Sequence, residues 1–411
     1  MKRWGFLGTL IAVFLLSACE DGGHFLFENQ PSEYSFKEPE ALRYSVFFKS
    51  EPMQLAMYEP AQGSFIGMYT DTHPSSDGRV IAAQEAALGV RHAVFIDVME
   101  LGGDFPLLWV LECIAEHKMP LIVVLPPEEG DVFFRQGGGD WEDILTEAAK
   151  GFAEFPVPMF VVFYPVSADS GWDATTYIAF FRYARAIFAI HAPHVAFVWA
   201  VDSELENFLD YFPGNLAVDW VGISLFLSGQ EAVLNATALE ELLHFYYNFQ
   251  QHKPIMLNLG ISHFSTKDHR YRIAETAEAL KQIYRTIQRD FPRVKMLNYM
   301  DVCRIDYNGN DYRISVDSGL QAAYRDSVQG FIFQAPYGFD EAMYPQPIRS
   351  AYSAFVDAGR VYLDTRILTN ELNLPLTSAS QWKDGAQRVD AAALGIQVEI
   401  DQGHVWLRYK P

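Results

Sequence analysis

Carboxylates and aromatic rings recur just after short apolar runs in this chain, and a suitable pair of those carboxylates could cut a glycosidic bond. Asp97 and Glu100 follow the second such run, Glu128 and Glu129 the third, and Asp169 the fourth. Asp202 and Glu204 follow the fifth and Asp301 the eighth. Glycoside hydrolysis needs one carboxylic acid to protonate the leaving oxygen and one carboxylate to attack or to activate water. Trp172, Trp199, Trp220, Phe226, Phe264 and Tyr299 supply flat rings suited to a sugar face, and Asn258, His263, Asp169 and Asn298 supply polar contacts. Each also has a plain structural use. Carboxylates after strands cap helices or sit solvated in loops, and Asp202-Ser203-Glu204 reads well as a cap. Trp199 and Trp220 read equally well as packing residues.

The elements that would position these groups follow a regular rhythm. Strand-like runs cover 64–69, 92–98, 121–125, 159–164, 195–201, 220–225, 255–259 and 294–299. Amphipathic stretches at 140–153, 175–191, 238–251 and 269–290 lie between them. Eight alternating units of this kind predict an α/β fold, a (β/α)₈ TIM barrel, whose βα loops gather functional residues at one end. An open doubly wound sheet is the alternative, but no Gly-rich phosphate loop follows the first strand. Beyond Gly330 the rhythm breaks: Pro336, Pro345 and Pro347 mark a connection, and 360–411 reads as a small C-terminal β-rich extension.

The chain has 411 residues, half of them hydrophobic and 15% aromatic, enough for a large core. Its formal net charge of −21 repels nucleic acid and anionic headgroups, so no nucleic-acid partner is expected. At the start, Lys2 and Arg3 precede an apolar run from Trp4 to Leu16, closed by Leu16-Ser17-Ala18-Cys19. A run of about 13 residues suits a signal peptide and is too short to span a bilayer. The closing tetrapeptide resembles a bacterial lipobox, which implies lipidation at Cys19 and an extracytoplasmic domain anchored to the cell membrane. Cys113 and Cys303 form no disulfide framework, and no His or Cys spacing makes a metal site. Neither metal nor cofactor is expected.

Several phrases recur in a fixed order. They run Tyr58-Glu59-Pro60 with Gly63 and Gly67, Ala93-Val94-Phe95, Pro120-Leu121-Ile122 and Phe197-Val198-Trp199-Ala200. Then come Tyr211-Phe212-Pro213-Gly214, Val218-Asp219-Trp220-Val221-Gly222-Ile223-Ser224 and Lys253-Pro254-Ile255-Met256. Over residues 54–326 the series resembles glycoside hydrolase family 26, the β-mannanases and their relatives. That resemblance implies a retaining mechanism with two glutamates, at the ends of barrel strands four and seven, about 5–5.5 Å apart. The family's fourth strand ends in Arg, then His-Glu-x-Asn and a Trp. Registering on Trp172 sets Phe163 at the arginine, Val166 at the histidine, Ser167 at the acid/base and Asp169 at the asparagine. After Lys253-Pro254-Ile255-Met256 the nucleophile position falls on Leu259. Neither replacement can do the chemistry: a serine hydroxyl is a poor acid at neutral pH, and leucine has no nucleophile.

The expected plan is a signal peptide at 1–18, a tether at 19–53, the barrel at 54–330, a connection at 331–359 and a β-rich module at 360–411. The last resembles the copper-amine-oxidase N-terminal-like stalk module through Val361-Tyr362-Leu363-Asp364-Thr365-Arg366 and Trp382. The functional expectation is a surface lipoprotein binding polysaccharide or oligosaccharide of β-mannan or β-glucan type, without retaining hydrolysis. Trp172, Trp199, Trp220, Asn258, His263 and Tyr299 are the expected binding residues. Two alternatives stand beside it. One is an active hydrolase using Asp169, Asp202 or Glu204, and the other is a structural envelope protein.

Overall fold

The computed structural model describes residues 43–70, 80–126, 141–167, 171–228, 236–332, 343–375, 380–383, 385–401 and 403–408. They form two compact units, one over 55–342 and one that joins 43–54 to 343–408.

The first unit is a closed barrel of eight parallel strands. They are β1 (Phe65–Thr70), β2 (Val94–Glu100), β3 (Met119–Leu125), β4 (Met159–Phe163), β5 (Val195–Asp202), β6 (Trp220–Ser228), β7 (Ile255–Ser262) and β8 (Val294–Asp301). β8 pairs with β1 and closes the ring. Every strand expected from the sequence is present. The connections contain helices α1 (Val80–Leu88), α2 (Leu107–Ala115), α3 (Trp141–Ala153), α4 (Ala174–His191), α5 (Ala236–Phe249), α6 (Ile273–Asp290) and α7 (Ser318–Ser327). After β5 the described chain holds only the 3₁₀ turn Phe208–Tyr211.

Alternation along the strands divides the apolar residues into two cores. Phe65, Val94, Met119, Phe160, Val198, Trp220, Met256 and Met296 fill the barrel. Phe163, Phe197, Trp199, Val221, Leu257, Leu259, Leu297 and Tyr299 face the helices. On α6 the buried residues Thr276, Ala279, Leu280, Ile283, Tyr284 and Ile287 recur every three to four positions, which makes one apolar stripe against the sheet. Asp173 caps α4 by accepting from Thr176 N at 2.9 Å, and Asp317 caps α7 through Gly319 and Leu320.

The segment Leu55–Pro60 seals the end where the strands begin. Trp220 Nε1 donates to the Met57 carbonyl at 2.7 Å, and Met57 and Tyr58 pack on the inner core. Glu59 and Arg293, both buried, form an ion pair at the same level.

The second unit is a seven-stranded sheet in the order Gln381–Lys383, Ala386–Asp390, Arg360–Asp364, Met343–Asp357, Arg43–Gln54, His404–Arg408, Gln397–Asp401. Two boundary expectations are corrected here. Residues 43–53, assigned to a tether, belong to a strand inside this sheet, antiparallel to Met343–Asp357 and parallel to His404–Arg408. The expected connection 331–359 contains the whole of the longest strand, Met343–Asp357. Its Pro345 and Pro347, read as breakers, lie opposite Pro52 and Lys49, where the register shifts; an irregularity tolerates a residue without an N–H. Val46, Ala354, Leu363, Val389, Val405 and Leu407 form the unit's own core.

Candidate functional site

The barrel's chemistry-bearing end lies where the strands finish, so the inward side chains there come first. One layer is set by strand register: Gly67 on β1 opposes Asn298 on β8, which opposes Asn258 on β7, then Ser224 on β6, then Asp202 on β5. Side chains in this arc bond to one another. Asn298 Nδ2 donates to Asn258 Oδ1 at 2.9 Å, and Asn258 Nδ2 donates to Ser224 Oγ at 3.2 Å. Gly67 makes this possible, because a Cβ there would overlap Asn298 Oδ1. The other side is aliphatic, with Ile96, Val98, Leu121 and Val123 from β2 and β3.

Between the two sides the described residues leave a cavity of about 50 Å³, lined also by Tyr69, Ala200, Phe226 and Met300. A water needs a probe-occupied volume of about 10–15 Å³, and drug-sized ligands need about 300–1,000 Å³. The cavity among the described residues therefore has room for a few waters.

Strand four leads to Ser167 by a short bridge. Val166 pairs with Val201, and Asp202 N donates to the Val166 carbonyl at 2.9 Å. Ser167 is buried, and its Oγ has no hydrogen-bond partner among the described residues. Asp202 is buried too, and its Oδ1 accepts from Glu204 N at 3.0 Å. Glu204 is exposed, in the turn that follows. Asp202 is the one carboxylate in the arc, where double displacement requires two.

At strand seven the assignment of Leu259 is corrected. Leu259 is wholly buried on the helix side, so no side chain at that position faces the mouth. The inward neighbours are Asn258, already described, and Gly260. Phe226 and Tyr312 cover Gly260, with their rings 5.2 Å apart at 73°. A Cβ on Gly260 would meet Phe226 Cδ1 at 2.6 Å and Tyr312 Cδ1 at 3.2 Å. A glutamate has no room there.

The expected aromatic platform does not form. Trp199, fully buried, lies among Phe212, Phe245 and Phe249 beneath α5. Trp220 sits at the sealed opposite end of the barrel. Tyr299 is buried on the helix side and donates to the Tyr312 carbonyl at 2.9 Å. Trp172 is 8% exposed and stacks on Phe180 at 6.1 Å. His263 is 2% exposed, with Nε2 3.9 Å from Asp311 Oδ2, and burial holds its pKa down. Of the six expected binding residues only Asn258 lines the cavity. Asp169, Glu128, Glu129 and Cys19 lie outside the described residues. Among the described residues no group of three His, Cys, Asp or Glu side chains could hold a metal ion.

Other expected carboxylates have structural roles. Asp301 Oδ1 accepts from Ile314 N at 2.6 Å and Ser315 N at 3.1 Å, and its Oδ2 accepts from Gln84 at 2.7 Å. Asp97 alternates with the inward Ile96 and Val98 and so faces the helices, and burial pushes its carboxyl up to about 6. The sequence reading missed Ser224, the Gly67–Asn298 contact and the Phe226–Gly260–Tyr312 stack. The first two were detectable from strand alternation alone, since Ser224 follows Gly222 by two and Asn298 precedes Met300 by two.

A closed ring of eight parallel strands with helices in the connections defines the class: a (β/α)₈ TIM barrel. No family model matches the chain, and no curated protein matches it. Among solved structures it is similar to a Cellulomonas fimi endo-β-1,4-mannanase double mutant, with 14% identity over 68% of this chain and 74% of that one, at a TM-score of 0.50. It is also similar to a modular endo-β-1,4-mannanase from Cellulomonas fimi, described as a glycoside hydrolase family 26 mannanase, with 13% identity over 87% of this chain and 95% of that one, at a TM-score of 0.50. At such identity the likeness shows the fold, which is that of family 26 mannanases.

Proposed function

We propose that this protein is a cell-surface lipoprotein whose family-26-like barrel serves polysaccharide recognition without retaining hydrolysis. The observation that carries the reading is the covered Gly260: the inward position at the end of strand seven is closed by Phe226 and Tyr312. Ser167 at strand four supports the same reading, since a serine there leaves no acid to protonate a leaving group. The neighbouring mannanases carry the glycan side of the proposal, through fold alone. Cys19 is the proposed lipid attachment, which puts the protein outside the cytoplasm on the bacterial membrane, and the second unit is the proposed stalk-like module.

The test uses the chain from residue 20 onward, purified as a soluble protein. It is offered to a glycan array and, in parallel, incubated with β-mannan and β-glucan while reducing ends are assayed. Binding without release is the expected result. Release of reducing ends with either polymer overturns the non-hydrolytic reading. Absence of both binding and release would leave the structural envelope reading in its place.

A further inference from the structure

The opposite end of the barrel carries a second, larger cavity. Between α4 and the turn that leads into β6 is a cleft of about 520 Å³, lined by Arg182, Arg185, Ala186, Ala189 and the segment 213–217. Because 213–217 precedes β6, this cleft belongs to the end where strands begin, away from the polar arc.

Its electrostatics are unlike those of the chain as a whole. In a protein of net charge −21, three cations converge on this one turn. Arg182 Nε donates to the Pro213 carbonyl at 2.7 Å, which fixes the guanidinium at the cleft and commits one of its donors. Gly214, at φ +95°, leaves the space beside that guanidinium open: a Cβ would stand 3.3 Å from Arg182 Nη2. Arg185 lies over the Phe197 ring at 5.1 Å, and its Nη2 is 3.4 Å from Asp219 Oδ2. Among the described residues buried Arg185 Nη1 has no acceptor, so Asp219 does not exhaust the donors of this guanidinium. Lys253 donates to the carbonyls of Asn215 and Val218 in the same turn, and burial lowers its pKa. Asp219 is the one carboxylate these contacts include, and it also accepts from Phe197 N at 2.8 Å.

We propose that the cleft between Arg182 and Arg185 binds an oxyanion, a carboxylate, sulfate or phosphate group borne on a small neutral body. A guanidinium fork matches the paired oxygens of such groups, and the excess of cations makes an incoming anion favourable. Ala186, Ala189, Pro213 and Ala217 give the cleft an apolar wall for the rest of the ligand, and Leu216 at its edge is fully exposed. The site is independent of the barrel mouth and of any glycan bound there.

The test titrates the full soluble chain with acetate, glucuronate, sulfate and phosphate and follows the unfolding temperature, with sodium chloride at matched ionic strength as reference. A saturable rise with at least one oxyanion beyond chloride is expected, and the responding arm identifies the group. Arg182→Ala should weaken that response about tenfold or more, the effect of removing one charged hydrogen bond. Arg185→Lys, which keeps the charge and removes the fork, should also weaken it. If Arg185→Lys does not fold, the exposed Arg182 decides alone. No saturable response beyond chloride, or a response unchanged in Arg182→Ala, overturns the proposal.

Discussion

Phe226 lies across Gly260 at the barrel mouth, so close that a Cβ on the glycine would stand 2.6 Å from its ring. The pair comes from adjacent strands in direct register. It closes the inward position at the end of β7. Gly260→Ala is therefore expected to destabilise the protein by about 1–3 kcal/mol through overpacking. Combining it with Phe226→Ala should recover part of that cost, as a double-mutant cycle of denaturant midpoints would show. Simple additivity would mean that the two residues do not share one space.

The arc from Asn298 through Asn258 to Ser224 makes a second prediction. Asn298→Leu removes the donor to Asn258 Oδ1 and brings a branched side chain against Gly67. A loss of about 1–3 kcal/mol is expected from the unsatisfied partner alone. Equilibrium unfolding in urea measures it, and a wild-type midpoint would show that the arc contributes nothing to stability.

Glu59 and Arg293 are predicted to be strongly coupled. Both are buried, and Arg293 Nε also donates to the Gln250 carbonyl at 3.0 Å. Removing one partner leaves the other charge in a low-dielectric site, so Glu59→Gln should cost about 3–5 kcal/mol. Glu59→Gln with Arg293→Met should cost less than the single change. Thermal melts of the three proteins decide this.

Asp97 gives the pH dependence. Its carboxyl is held at about 6 against an ordinary 3.8, chiefly by burial, with the Val98 N–H opposing. The folded state then keeps a proton that the unfolded state has already lost. Between about pH 4 and 6 this residue's contribution to stability falls as pH rises, and above the folded value the full penalty persists. Asp97→Asn should thus raise stability at pH 7 by about 1–3 kcal/mol and remove that part of the slope. A pH series of melting temperatures with an unaltered slope would count against it.

Truncation tests the second unit. Arg43–Gln54 is flanked on both sides in the seven-stranded sheet, so a chain beginning at Leu55 lacks an interior strand there. The unit over 343–408 should lose its cooperative transition, read by calorimetry, because the remaining strands split into two groups. The barrel over 55–342 has its own core and should keep its transition.

The alternation of apolar runs with amphipathic stretches was enough to read the barrel. Runs such as Val195-Ala196-Phe197-Val198-Trp199 are buried on both faces, and Ile283, Tyr284 and Ile287 recur at helical spacing. Both patterns are local, so the sequence exposes them. The absence of glutamate at Ser167 and around Leu259 is equally local and was readable from the residues. Which of those positions faces the mouth was not, since a shift of one residue reverses every side chain. Leu259 turned outward for that reason, and Gly260 took the inward position.

The residue types alone carry the fold class and the absence of glutamate at 167 and 259, because spacing and side-chain chemistry are properties of the chain itself. The fate of the aromatic residues and of the strand Arg43–Gln54 is set by long-range packing. Trp199, Trp220 and Tyr299 look the same in sequence whether they line a cleft or fill a core, and packing against α5, Met57 and Tyr312 settles which. Residues 43–54 are paired with 343–355, some three hundred positions away, and no local signal encodes a partner that distant.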